Sequence, residues 1–305
     1  MNNKKTILVT GSHRSGTTWA GNILASAPQV AYIHEPFNIN PTLFNPLDLE
    51  YWFEYVCEYN ETNYCDKIES LISFNYPLAN SLEKKVLIRD VVKIYRNYFR
   101  FSYFRLKNYR PIVKDPIAIF SASWLAQKFD TNVLVMIRHP AAFCSSVKLK
   151  GWEFDFSCFL KQPLLMEHYL KGFEAQIREQ VANKNDVISQ AALLWNCIHH
   201  VIGLYQKEHP EWLFVKHEDL SLDPIAQFQK IYQSFNLEFT KQTQSLILAS
   251  SGEHNPVEQE IDNEFVRNSK ANIVNWKNRL DEAEIQFIKD KTCHVAKKFY
   301  DESDW

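Results

Sequence analysis

Three of the chain's seven glycines stand inside one stretch, Gly11-Ser12-His13-Arg14-Ser15-Gly16-Thr17-Thr18-Trp19-Ala20-Gly21. At the usual glycine content of about 7%, a chain of 305 residues would hold about 21. Backbone freedom is therefore scarce along this chain and concentrated at one place. The apolar run Ile7-Leu8-Val9 precedes the stretch, and Trp19, Ile23 and Leu24 follow it at helical spacing. A strand, a glycine-bracketed loop and a helix N-terminus together aim backbone N–H groups and a helix dipole at one point, which is how proteins cradle phosphate. A tight glycine-rich turn without a ligand is the competing reading, because short glycine motifs recur for purely local reasons.

The spacing Gly11-x4-Gly16 has the frame of a nucleotide-binding P-loop. That loop needs Lys-Ser or Lys-Thr next, and here Thr17-Thr18 stand there. The cation is Arg14, inside the loop. Without the lysine that reaches the β- and γ-phosphates, the loop is predicted to hold an anion other than the γ-phosphate of ATP.

Four further apolar runs read as buried strands: Val30–Ile33, Pro111–Lys114, Val133–Ile137 and Trp212–Lys216. Helical patterns lie between them, at about 117–129, 140–149, 187–208 and 224–235, with Asp223-Pro224 as an N-cap and first-turn pair. This alternation predicts an α/β fold: a single P-loop-like domain over residues 1–305, with a central, mostly parallel sheet flanked by helices on both faces. No Pro/Gly/Ser-rich linker and no repeat divides it. The 46% apolar and 14% aromatic content suits one large core.

A formal net charge of −2 argues against a nucleic-acid coat protein. The six cysteines form no C-x-x-C pair and no zinc-like spacing, so no metal is expected. Lys4 and Lys5 with only Ile7 to Val9 make no signal-peptide core, and no run approaches the ~18 apolar residues of a membrane helix. The expectation is a cytoplasmic protein with no integral membrane segment. Its oligomeric state is open.

In open parallel sheets, ligands bind beyond the carboxyl ends of the strands. The residues there are Gly11 to Thr18, His34-Glu35, Lys114-Asp115, Arg138-His139 and Lys216-His217-Glu218-Asp219. Arg138 and Ser146, eight residues apart across a helix start at Pro140, suit a second and separate phosphate. Residues 37–110 and 151–186 are aromatic-rich and irregular, and read as excursions that wall an acceptor cleft or pack on the sheet. Within or next to them, Trp52, Tyr55, Tyr103, Phe104 and Trp152 are candidates for stacking on sugar rings, or for core filling.

Together these residues resemble the PAPS-dependent sulfotransferases. The family's 5′-phosphosulfate loop, [Lys/Arg]-[Ser/Gly]-Gly-Thr-Thr-Trp, reads here Arg14-Ser15-Gly16-Thr17-Thr18-Trp19. Its 3′-phosphate pair, an arginine and a serine eight residues apart, matches Arg138 and Ser146. A later strand-plus-Glu-Asp segment resembles Leu213–Leu220, and a tryptophan-centred segment resembles Asn275-Trp276-Lys277-Asn278. The matches run in family order from residue 7 to about 280.

The resemblance implies 3′-phosphoadenosine 5′-phosphosulfate (PAPS) as donor and a hydroxyl acceptor. Loop amides and the Thr17 and Thr18 hydroxyls would hold the 5′-phosphate, Arg14 the charge on the leaving oxygen, and Trp19 the adenine. Glu35, in His34-Glu35-Pro36-Phe37, is similar to the general base of carbohydrate sulfotransferases, which implies a sugar acceptor. His34, with Asp115 behind it, is the rival base. Lys114 would contact the transferring sulfuryl group, or pair with Asp115. The sequence has His217 where the family often has tyrosine. It also lacks the Arg-Lys-Gly segment that closes over the 3′-phosphate in cytosolic members; Arg267 or Lys270 would replace it. Two other functions compete: a small-molecule or nucleoside kinase with a divergent P-loop, and a nucleotide-binding module without turnover.

Overall fold

The computed structural model describes residues 5–40, 47–76, 78, 88–183, 186–256, 266 and 268–305. Five strands form one parallel sheet: β1 (Ile7–Gly11), β2 (Val30–His34), β3 (Arg110–Lys114), β4 (Asn132–Ile137) and β5 (Leu213–Lys216), in the order β2-β3-β1-β4-β5. The alternation of side chains along each strand feeds two cores. Leu8, Val113, Val133, Val135 and Ile137 face one, while Ile7, Val9, Ile112, Leu134 and Met136 face the other. Each such buried side chain stabilises the fold by about 1.5–3 kcal/mol relative to exposure.

The helices that matter below are α1 (Thr17–Ala25), α2 (Ile88–Leu106), α3 (Pro140–Lys150), α4 (Val187–Glu208), α5 (His217–Leu222), α6 (Lys241–Ser251), α7 (Ser269–Ile273) and α8 (Glu282–Ala296). Asp223 caps the helix Pro224–Ser234 by accepting from the Ala226 N–H, as its position before proline predicts. Asp186 caps α4 through the Ile188 and Ser189 N–H groups.

Two expectations need correction. Neither excursion is irregular throughout: α2 occupies 19 residues of 37–110, and helical segments run through Ser157–Leu160 and Glu174–Ala182 of 151–186. And α4, at 22 residues, is long and apolar enough to cross a membrane by length and composition. It is instead a core helix: 72% of its most apolar window is buried, and it packs against α3 and α8.

The sheet order places β1 between β3 and β4, so the chain leaves β1 toward one side and later returns to fill the other. The carboxyl ends beside β1 form the switch point where such folds bind ligands. Gly11 pairs with Met136 there, and a Cβ on Gly11 would lie 2.2 Å from the Met136 carbonyl oxygen. Only glycine lets the two strand ends approach so closely.

Candidate active site

Gly16 opens α1 in the left-handed conformation, φ 85°. A Cβ there would also stand 2.6 Å from Nδ1 of His217, so glycine is required twice over. No side chain caps α1 and its first turn holds no acid. Its first N–H groups therefore remain available to an anion. Ser15 turns its buried hydroxyl back onto the Ser12 carbonyl and fixes the loop.

Arg14 has φ 62°, a conformation non-glycine residues seldom adopt. Its Nε donates to the Ser146 hydroxyl at 2.9 Å, and its guanidinium lies 5.6 Å from the Trp152 ring centre. Arg138, following β4, donates from Nη1 to the Arg14 carbonyl. The loop and the Arg138/Ser146 pair thus form one hydrogen-bonded unit. Arg138 is set in turn by its own carbonyl, which accepts from Trp195 Nε1 at 2.9 Å, and by the next N–H, His139, which donates to Glu218. Burial pushes the Glu218 carboxyl above its ordinary range, and the Tyr300 hydroxyl also donates to it. His139 stacks on Trp276, ring centres 5.3 Å apart, so the tryptophan of the C-terminal segment props up the β4 end.

Glu35 follows β2 with φ 42°. Its N–H continues the β2·β3 ladder to the Lys114 carbonyl. The strained conformation turns the carboxylate to where Lys114 Nζ donates to Oε1 and Asn38 donates to Oε2 at 2.9 Å. Burial pushes this carboxyl up; the Lys114 charge and the two hydrogen bonds outweigh it and hold Glu35 below the ordinary carboxylate range. Lys114 is wholly buried. Its stem crosses α1 at Gly21, where a Cβ would lie 2.9 Å from Lys114 Cγ and 3.0 Å from Tyr32 Cε2. All three glycines of the opening motif are thereby accounted for by close contacts.

Lys114 pairs with Glu35, and Asp115 is engaged elsewhere. The Asp115 carboxylate accepts from the Phe37 and Ile117 N–H groups, so it buttresses the turn and does not back His34. Burial raises it to about 7 despite those bonds. His34 is 62% exposed, stacks on Tyr32 and lies 3.9 Å from Glu35 Oε2.

Two clefts meet at these residues. One, with about 830 Å³ of open space, is lined by residues that include Arg14, Gly16, Thr17, Thr18, Trp19 and Arg138. Trp19 is nearly buried there, its Nε1 donating to Ser250 at 2.9 Å. The second, of about 1370 Å³, is walled by Asn38, Asn40, Trp52 and Phe53 from one excursion and by Trp152, Glu153, Phe154 and Asp155 from the other. His13, Glu35, Pro116 and Trp152 line both.

Of the five aromatic candidates, Trp52 and Trp152 line the second cleft. Tyr55 instead bonds His168, and Tyr103 and Phe104 pack with Tyr109 near the end of α2. Lys270 sits on α7 with its ammonium 3.6 Å from Glu253 and half exposed. Ser269 and Asn272, three residues apart on the same helix, line the first cleft in its stead. Arg267 lies outside the described residues.

The sequence reading passed over His13. Its Nδ1 is buried without a hydrogen-bond partner, and its ring packs edge-on to Phe143 at 4.9 Å. Burial, then the Arg14 charge, lower it to about 4 against the opposing pull of Glu35, so it stays neutral near pH 7. Its place inside the loop was the only available signal, and that signal does not distinguish it from a linker residue.

Residues 6–241 match the sequence profile of the sulfotransferase family. The chain belongs to that family. Two solved structures share its fold at a TM-score of 0.50 each. One is a sulfotransferase domain from the olefin synthase of Synechococcus PCC 7002, 15% identical, with 99% of this chain and 98% of that one aligned. The other is a sulfotransferase domain from the curacin biosynthetic pathway, 13% identical, with 98% of each chain aligned. No curated protein sequence matches the chain.

Proposed function

We propose that the protein moves the sulfuryl group of PAPS to an acceptor hydroxyl, with Glu35 as general base. The observation that carries this reading is Glu35 itself, on the wall shared by a cleft lined with anion-binding groups and an aromatic-lined one. The first cleft suits PAPS. The left-handed Gly16, the uncapped α1 terminus and the Thr17 and Thr18 hydroxyls fit its 5′ end, while Arg138 fits its 3′-phosphate, with the buried Ser146 behind it holding Arg14.

PAPS supplies an activated sulfuryl group whose bond to the 5′-phosphate breaks as the acceptor oxygen bonds sulfur. The protein's share is to hold both partners in line and to stabilise charge. Arg14 neutralises charge at the loop, and the buried Lys114 acts through Glu35, which it holds ionised. The Glu35 carboxylate takes the acceptor's proton. A carboxylate held below its ordinary range suits a proton that leaves late, once bonding to sulfur has made the hydroxyl acidic. Trp52 and Trp152 offer the flat faces a sugar ring would stack on, which supports a carbohydrate acceptor.

The test is transfer of labelled sulfate from PAPS, without added divalent metal, to p-nitrophenyl β-galactoside as a sugar probe and 2-naphthol as a phenolic one. Glu35→Gln is expected to lower turnover by about 10²–10⁴-fold while binding of 3′-phosphoadenosine 5′-phosphate survives. Full activity in Glu35→Gln would remove Glu35 as the base. Magnesium-dependent transfer from ATP would favour the kinase, and tight nucleotide binding without turnover the binding module.

A further inference from the structure

Helix α2 has a second apolar face. Ile94 and Phe101 point inward and are buried, Phe101 against Phe74 and Tyr76. On the opposite side Val92, Tyr95, Phe99, Tyr103 and Leu106 are 66%, 41%, 65%, 50% and 82% exposed. At ~100° per residue these five fall within a band of about 80°, running about 21 Å along the axis at 1.5 Å per residue. Single exposed apolar side chains need no explanation. Here, though, five of the eleven large hydrophobics exposed among the described residues share one stripe.

Charge accompanies the stripe. Lys93, Arg96 and Arg100 on the helix, with Lys107 just beyond it, lie on one flank, about 60–120° from the stripe's centre by the same helical spacing. Residues 88–107 hold six Lys and Arg against one Asp, a net +5 in a chain whose formal charge is −2. Arg96 and Arg100 crowd each other: burial first, then the Arg96 charge, lower the Arg100 guanidinium. A partner for this face must therefore be apolar at its centre and anionic beside it. A second copy of the same helix would bring cation to cation.

We infer that α2 docks the protein on an anionic lipid surface. Val92, Phe99 and Leu106 enter the boundary between headgroups and acyl chains, Tyr95 and Tyr103 flank them, and the cationic flank meets lipid phosphates. A narrow apolar stripe bordered by Lys and Arg is the signature of a helix lying in the membrane interface, and each cation near such a surface adds to binding. This inference is independent of the transfer chemistry.

Vesicle co-sedimentation of the full chain tests it, using phosphatidylcholine alone and phosphatidylcholine with 30 mol% phosphatidylserine. Binding is expected only with phosphatidylserine, and at least tenfold weaker in 0.5 M salt than in 0.1 M. Phe99→Asp with Leu106→Asp, and separately Arg96→Gln with Arg100→Gln, are each expected to lower partitioning more than tenfold. Melting temperature and sulfate transfer in solution should stay unchanged, since these side chains are exposed and lie outside both clefts. Phe99→Trp should shift its emission to the blue on binding. Failure to bind phosphatidylserine vesicles would overturn the inference. So would binding indifferent to the Phe99/Leu106 variant, or a lipid-insensitive dimer that the same variant dissociates.

Discussion

Glu35 shows how much one residue's surroundings decide. Its φ of 42° is a strained conformation of the kind that persists where the surrounding structure over-determines it. Here the strand ladder on one side and the Lys114 and Asn38 hydrogen bonds on the other do so. Two opposed effects set its proton affinity, burial upward and Lys114 downward, and Lys114 prevails. A base with a depressed pKa stays ionised to lower pH, so the acidic limb of kcat/KM should lie below pH 4.5, the ordinary value for Glu. Lys114→Met keeps the buried stem and removes the charge, leaving burial unopposed. The limb should then move to higher pH; a limb that stays in place would show that Lys114 does not tune Glu35. His13, already neutral with its pKa at about 4, should add no limb between pH 5 and 8.

At the scale of elements, α1 joins the sheet at Gly21 with no room for a larger residue. Gly21 costs α1 about 1 kcal/mol of helix propensity relative to alanine, yet the Lys114 stem leaves no room for a methyl group. Overpacking costs about 1–3 kcal/mol and should win. Gly21→Ala is expected to lose about 1 kcal/mol in urea denaturation and to slow sulfate transfer, because Lys114 shifts relative to Glu35. A more stable Gly21→Ala would contradict this. Elements also show what the sequence could reveal. β1, α1, α3 and α4 were legible because apolar periodicity, a cap or a proline marks each of them. α2 was passed over although its residues carry a helical period; no N-cap residue and no proline or glycine boundary draws attention to it as they do for the others.

For the whole molecule, the buried histidines link stability to pH. His199 is wholly buried, stacks 4.0 Å from Trp195, and is lowered by burial to about 3. Folded, it refuses the proton that the unfolded chain accepts below pH 6.5. Its cost is absent above that pH and grows as pH falls, by about 1.4 kcal/mol per unit. A His199→Gln variant cannot titrate, so wild type's stability relative to it should fall by about 2 kcal/mol between pH 8 and pH 5. Comparing urea midpoints of the two proteins isolates His199 from the raised Asp115 and Glu218, which act in the opposite direction. An unchanged difference would mean that His199 takes up its proton in the fold as readily as in the unfolded chain.

The chain's own order of residues determined the strand–loop–helix unit, the parallel α/β class and the positions where chemistry gathers. Each of these follows from local periodicity and from glycine, proline and capping preferences that act within a few residues. Tertiary structure decided which side chains meet. It gave Lys114 to Glu35 and left Asp115 to buttress a turn. It tied Arg14 to Ser146 across 132 positions, set His13 where two clefts join, and turned Lys270 toward Glu253. Those meetings depend on the β2-β3-β1-β4-β5 order, which brings together strand ends far apart in sequence. No local preference encodes that order.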